Sequence, residues 1–411
     1  MNKWSKITIG DVAEIKHGWA FPGSGITEHP SENVLVTPGS FKIGGGFKKD
    51  NKKFFNGCYP DEYLLTPDDL IVTMTDLSKE TDALGYSALV PNDGKKYLHN
   101  QRIGLVQIKS ETIDKNYLYW LLRTYHYQRF IAGAASGTTV KHTSPTQIKS
   151  YSFYCPPIKT QKQIAGILSS FDNKIELNAR INHNLEEQAK AIFKSWFVDF
   201  EPFQNGKFVD SELGPIPKGW EISTLDNIAD YLNGLAMQKY RPNESDLGLP
   251  VLKIKELRQG FCDNESDRCS SAIKDEYIVK DGDVIFSWSG SLLVDFWTGG
   301  ECGLNQHLFK VTSSKYEKWF YFSWTQYHLA QFIAIAADKA TTMGHIKREN
   351  LQAAKVLIPP SECYNAISVQ LTPIYDLIIQ NRIEARRLAL LRNSLLPKLM
   401  SGEIDVSEVD V

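Results

Sequence analysis

Apolar residues in two stretches of the chain recur at steps of three and four. Between Gln161 and Phe197 they fall at Ile164, Leu168, Phe171, Ile175, Ile181, Leu185, Ala189, Ile192 and Trp196. Between Ile367 and Leu399 they fall at Ile367, Leu371, Ile374, Ile378, Ala385, Leu388, Leu391, Leu395 and Leu399. This spacing, kept over several heptads, predicts two long helices with coiled-coil packing rather than ordinary surface helices. About 34 residues of helix extend roughly 50 Å. Each run is interrupted by an asparagine, Asn178 and Asn381, at an offset of 203. An asparagine at one seam position costs stability and sets register; two exposed asparagines would leave the same pattern. Pro373 is expected at a start or kink of the second helix, and Pro397 at its end.

Ahead of each helix the pattern changes to short apolar runs bounded by Gly, Pro and Asn. Leu70-Ile-Val-Thr, Ile103-Gly-Leu-Val-Gln-Ile108 and Val284-Ile-Phe-Ser read as strands. Tyr117 to Arg123 and Trp319 to Trp324 read as aromatic helical stretches. The mixture is α/β (α+β).

These two regions repeat one another. Asp11 to Phe21 matches Asn227 to Met237 at offset 216, each stretch preceded by a tryptophan, Trp4 or Trp220. Tyr63 to Thr75 matches Tyr277 to Ser289 at offset 214. Asn100-Gln101-Arg102 matches Asn305-Gln306-His307. Thr138-Thr-Val-Lys-His142 matches Thr341-Thr-Met-Gly-His345, and both lead to a Pro-Pro pair at Pro156 and Pro359. The order is kept while the offset drifts, as happens when loop lengths diverge between duplicated domains. The segment from Asp199 to Gly219 is a Pro/Gly-rich linker. The expected order is a globular domain at 1–157, a helix at 158–198, the linker at 199–219, a second domain at 220–360, a second helix at 361–402 and a tail at 403–411.

Composition narrows the function. With 46 basic and 48 acidic residues the net charge is −2, which excludes a polycation that binds nucleic acid through bulk charge. Six scattered cysteines without a Cys-x-x-Cys pair argue against a zinc site or disulfide scaffold. No signal-peptide core and no membrane-length apolar run appears, so a soluble cytoplasmic protein with no membrane partner is expected.

Catalytic motifs are missing. There is no Gly-x-x-x-x-Gly-Lys loop, Gly-x-Ser-x-Gly elbow or His-Glu-x-x-His pair. Nor is there an Asn-Pro-Pro-aromatic segment for amino-methyl transfer. Pro67-Asp68-Asp69 contains a nuclease-like Pro-Asp but lacks an acidic-x-Lys partner, and Asp69 aligns with Asp283 as a turn residue. No catalytic or metal-binding residue is therefore assigned.

The loops carry a different chemistry. Lys42, Lys48, Lys49, Lys52 and Lys53 form a basic stretch suited to phosphate contacts or to a solvated loop. Around the strand ends lie Lys16, His17, Trp19, Thr73, Thr75, Gln101, Arg102, Lys141 and His142. Their counterparts in the second half are Asn233, Gln238, Ser287, Trp288, Ser289, Gln306, His307, His345 and Lys347. Arg, Lys, Gln and Asn can read base edges by paired hydrogen bonds. The twin placement on different side chains predicts an asymmetric DNA site in two parts.

The chain resembles the specificity subunit of a type I restriction-modification system. The resemblance is carried by Ala191-Ile-Phe-Lys-Ser-Trp-Phe-Val-Asp-Phe-Glu-Pro202, Glu212-Leu-Gly-Pro-Ile-Pro-Lys-Gly-Trp-Glu221 and Leu395-Leu-Pro-Lys-Leu-Met-Ser-Gly-Glu-Ile404. The Pro-Pro pairs and the opening Gln161-Lys-Gln-Ile-Ala165 also fit it; Cys363-Tyr-Asn-Ala-Ile367 departs from that opening. The resemblance implies two tandem target-recognition domains on double-stranded DNA, separated by two long antiparallel coiled-coil helices that set the spacer. It implies no cofactor in this chain. It also implies two methyltransferase subunits with S-adenosylmethionine, which modify adenine, and restriction (translocase-nuclease) subunits using ATP and magnesium. Arg382, Arg386 and Arg387 on the helix exterior would serve subunits, spacer phosphates or only solvent. An enzyme with an unrecognised site and a protein-interaction scaffold are the rival readings.

Overall fold

The computed structural model describes residues 4–50, 53–76, 83–137, 140–338 and 344–409. Two compact units emerge, the first built from two separate stretches of chain and the second from one, and the boundary between them falls inside each long helix. One comprises Met1–Asn173 with Ala389–Val411, and the other Lys174–Leu388. Both long helices, Ile158–Phe197 and Ser361–Ser401, contribute to both units.

In the first unit, the strands Ala13–His17, Ile103–Ile108, Leu70–Thr73 and Ser87–Leu89 form an antiparallel sheet in that spatial order. A second sheet holds Asn33–Val36 parallel to Lys96–His99. Polar residues cap the helices of this unit. Asp114 accepts from Tyr117 N at 2.9 Å at the head of Lys115–Leu121. Thr124 accepts from Tyr127 N at 3.4 Å at the head of Tyr125–Gly133. Trp120, Tyr117 and Tyr127 are fully buried against Ile164 and Leu168 of the first long helix and Leu399 of the second. The tail joins this core. Val406 is buried, and Gln163 Nε2 donates to Val409 O at 2.9 Å.

The second unit repeats the plan. Asp230–Asn233, Leu308–Thr312, Val284–Ser287 and Leu293–Phe296 form the matching sheet. Register is kept as well: Thr73 faces Ile103 in one unit, and Ser287 faces Leu308 in the other. Leu249–Leu252 runs parallel to Cys302–Leu304, as the second sheet of the first unit does with its own pair. The helix Lys318–Asp338 buries Trp319, Phe320 and Trp324 against Phe193 and Phe197. The linker is ordered here: Phe200 and Phe203 pack edge-on against Trp220 at 5.6 and 5.2 Å.

Each unit ties its aromatic helix to a long helix by the same kind of bond. Trp120 Nε1 donates to Ser169 Oγ at 3.0 Å, and Trp319 Nε1 to Ser368 Oγ at 3.0 Å. These pairs are 199 residues apart, whereas the Pro-Pro pairs are 203 apart, so the bond has moved one helical turn between the repeats.

Two expectations are corrected. Pro397 does not end the second long helix, and of the two readings of Pro373 the helix start is excluded; both prolines lie inside Ser361–Ser401. The carbonyls that these prolines leave without an N–H belong to Val369 and Asn393, both exposed, where solvent supplies the donor. The basic side chains are also not a bare exterior. Arg382 bridges Glu186 (2.8 Å) and Asp295 (2.7 Å), and Arg386 pairs with Asp281 at 2.7 Å. They pin the helix to the globular part of the second unit, leaving Arg387 exposed.

The asparagines of the seam are buried, which removes the reading of two exposed polar residues. Asn178 is 1% exposed and Asn381 8%.

Candidate nucleic-acid interface

In each unit four chain segments meet at one edge of the antiparallel sheet. A glycine makes the first meeting possible. A Cβ on Gly18 would lie 2.2 Å from Asn100 O, and one on Gly234 would lie 2.3 Å from Asn305 O. With hydrogen there instead, Trp19 bridges to Asn100 and Leu235 to Asn305. The asparagine closes its own turn: Arg102 N donates to Asn100 Oδ1 at 3.1 Å, and His307 N to Asn305 Oδ1 at 3.2 Å.

The third and fourth segments add on through backbone bonds. Thr143 N donates to Met74 O at 3.0 Å, and Ile346 N to Trp288 O at 3.0 Å. Side chains complete the join. In the first unit Thr75 Oγ1 and His142 Nδ1 are 3.1 Å apart. In the second, Ser289 Oγ meets His307 Nδ1 at 3.0 Å, while Ser289 bridges to His345 through the backbone.

Most of the sequence-derived candidates come together here. Gln101, Arg102 and His142 are exposed at the edge of the first unit, with Trp19 half-buried beside them and Lys141 next to His142. Lys16 and His17 end the neighbouring strand; Lys16 pairs with Glu62 at 3.0 Å, and Trp19 stacks on Tyr63 at 6.3 Å. Asn233, Trp288, Gln306, His307 and His345 occupy the matching edge of the second unit. Gln306 Nε2 lies 3.3 Å from His307 Nε2. Gln238 and Lys347 are exposed on the adjoining turn and helix start.

Some candidates fail as direct contacts. Thr73 and Ser287 are fully buried, with Thr73 Oγ1 bonded to Ala83 O and Ser287 Oγ to Ser289 O at 3.2 Å. A side chain inside the sheet cannot touch a base. Thr75 and Ser289, 3% and 4% exposed, orient the histidines instead. The lysine stretch lies elsewhere. Its turn is fastened to Ser87 through Gly46 N (2.8 Å) and to Arg123 through Gly44 O (2.8 Å). Lys42 and Lys49 are exposed there, but Lys48 approaches Asp50 at 3.6 Å and Lys53 pairs with Glu28 at 2.8 Å, which lowers the net positive field. Lys52, Thr138, Thr139, Thr341, Thr342 and Met343 lie outside the described residues.

His99, beneath the Asn100 turn, was not anticipated. It is fully buried, shares its Nε2 proton with Ile103 O at 2.8 Å, and burial pushes its pKa down to about 4. Asn100 and Asn305 were visible as repeated residues, and their turn-closing role follows from the structure. The acidic turns read as structural in both units: Asp69 accepts from Thr66 N and Asp283 from Lys280 N, each at 2.8 Å. Among the described residues no cluster of His, Cys, Asp or Glu is placed to hold a metal ion, and no helix is long and apolar enough to cross a membrane.

Twin edges of exposed Gln, Arg, Asn and His side chains on a duplicated scaffold are the arrangement expected of paired base-reading heads. The type I restriction modification DNA specificity domain model matches residues 1–187 and 217–387, and the chain belongs to that family. Among its relatives is the type I restriction enzyme MjaIX specificity subunit of Methanocaldococcus jannaschii, 26% identical and covering 99% of this chain and 94% of that one. The HindI specificity subunit of Haemophilus influenzae is 22% identical over 78% of this chain and 84% of its own. The fold is shared with the crystal structure of the type I restriction-modification S subunit from M. genitalium, with TM-score 0.61, 16% identity and 96% of each chain covered.

Proposed function

We propose that this chain is the sequence-reading subunit of a type I restriction-modification complex. Each unit reads one half of an asymmetric, two-part site on double-stranded DNA. The observation that carries the reading is the duplicated edge: the same strands in the same register present Gln101, Arg102 and His142 in one unit and Asn233, Gln306 and His345 in the other. Identical scaffolds with different tips suit two different words. Phosphate contacts position such a protein, and base-edge contacts give it specificity.

The long helices hold the unread spacer between the two words and offer surface to methyltransferase subunits. Leu177, Val369, Leu377, Leu390 and Leu391 are large apolar side chains left exposed along them, which favours partner docking. The chain itself supplies no catalytic residue in this reading. Methyltransferase subunits bring S-adenosylmethionine and reach an adenine by flipping it from the stack. Restriction subunits bring ATP and magnesium chemistry, and the complex works in the cytoplasm.

Coexpression with the cognate methyltransferase, followed by mapping of modified adenines, tests this. A gapped asymmetric word is expected, and replacement of residues 4–155 should alter one half of it only. A continuous word, or a change in both halves, would overturn the reading.

A further inference from the structure

Trp288 Nε1 donates to Asn233 Oδ1 at 3.0 Å, and the first unit has no such pair at the matching positions, Met74 and His17. The difference traces to the strand between them. In the first unit that strand carries Gly104, where a Cβ would stand 3.1 Å from Val72 and 3.4 Å from Met74 Sδ. The missing side chain leaves room, and Met74 is buried at 2% exposure. The second unit has Phe309 at this place, paired with Asn233 on one side and Phe286 on the other. Its ring fills the space. Trp288 therefore lies across Phe309 at 5.7 Å, half-exposed, with His307 and His345 at 6.1 and 6.2 Å.

An indole nitrogen can only donate. Its bond therefore selects the amide oxygen of Asn233 and directs the amide nitrogen to another acceptor. The oxygen keeps a second lone pair. An asparagine presented this way matches the major-groove edge of adenine, whose N7 accepts from Nδ2 while its N6 donates to Oδ1. Guanine places an acceptor, O6, where N6 would be, so a fixed amide oxygen opposes it.

We infer that Asn233, held in one amide orientation by Trp288, reads an adenine in the half-site of the second unit. Asn233 makes the contact; Trp288 is a positioning residue. The inference rests on the second unit being a DNA-reading head, and goes beyond that by assigning a base and the residue that sets the discrimination.

The test uses the full chain assembled with its methyltransferase subunits and a randomised DNA duplex library, with base frequencies read after selection. The wild-type complex should enrich a gapped word; if it enriches none, the proposed function itself fails. Asn233→Ala should erase the preference for adenine at one base pair of one half-site, a loss of about 5- to 150-fold in discrimination. Asn233→Asp removes the donor and should move that position toward cytosine, whose N4 donates to a carboxylate. Trp288→Phe keeps the ring on Phe309 but loses the N–H, and should admit guanine at the same base pair while the rest of the word is retained. A purely structural role for Trp288 would weaken every position of the half-site alike, and that result overturns the inference. So does an unchanged word in all three variants, or a change confined to the half-site that replacement of residues 4–155 alters.

Discussion

Asn381 Nδ2 donates to Asn182 Oδ1 at 2.8 Å across the seam of the two long helices. Asn182 Nδ2 in turn donates to Ile378 O at 3.1 Å, and Asn178 Nδ2 to Asn381 O at 3.3 Å and Glu384 Oε2 at 2.6 Å. As residue numbers rise on one helix they fall on the other, so this stretch packs antiparallel. A slide by one turn would bury these amides against aliphatic side chains. The register is thus held by polar groups that tolerate a single alignment.

Asn381→Ala should cost about 1–3 kcal/mol, because it leaves Asn182 Oδ1 buried without a donor. Urea unfolding checks this. The double change Asn182→Leu with Asn381→Leu should recover much of the loss, since both polar partners are replaced by apolar ones. A single variant with wild-type stability would mean the bond has no net role.

Arg382→Met should destabilise the second unit by about 1–3 kcal/mol, since it strands Glu186 and Asp295 beside an apolar stem. Both carboxylates are part-exposed, which holds the cost below that of a fully buried pair. Added salt should shrink the difference between wild type and variant. Denaturation midpoints at low and high ionic strength measure both effects.

His99 makes the first unit acid-sensitive. Its folded pKa, about 4, lies below the usual histidine value of about 6.5, so the unfolded chain takes up a proton that the folded chain refuses. The stability due to neutral His99 is complete above about pH 6.5 and is lost as pH falls toward 4. Between pH 7 and pH 5 the wild type should lose about 2 kcal/mol more than His99→Leu, the residue standing at the matching position as Leu304. Equal losses would place the acid sensitivity elsewhere.

Adding four residues to each long helix lengthens each by about 6 Å. Modification mapping should then show a longer unread spacer with both half-sites unchanged. An unaltered spacer would refute the helices as its determinant.

Several features were legible in the sequence because they are local or repeated. The two long helices follow from apolar spacing, and the strands Leu70–Thr73, Ile103–Ile108 and Val284–Ser287 from short β-branched runs between turns. The paired edges follow from collinear matches. Asn182 gave no signal, since it has no asparagine counterpart in the repeat and its partner is 199 residues away. Thr73 and Ser287 look like surface polar residues in any window of sequence. Only the neighbouring strands show them sealed inside.

The sequence by itself determined the duplication, the long helical seams and the identity of the side chains at the two edges. These depend on periodicity and composition along the chain. The tertiary structure decided which polar groups face solvent, which arginines are spent on internal carboxylates, and that Phe309 lifts Trp288 beside Asn233 while Gly104 lets Met74 sink. Those outcomes turn on the volume available between strands far apart in sequence, a quantity that no single segment encodes.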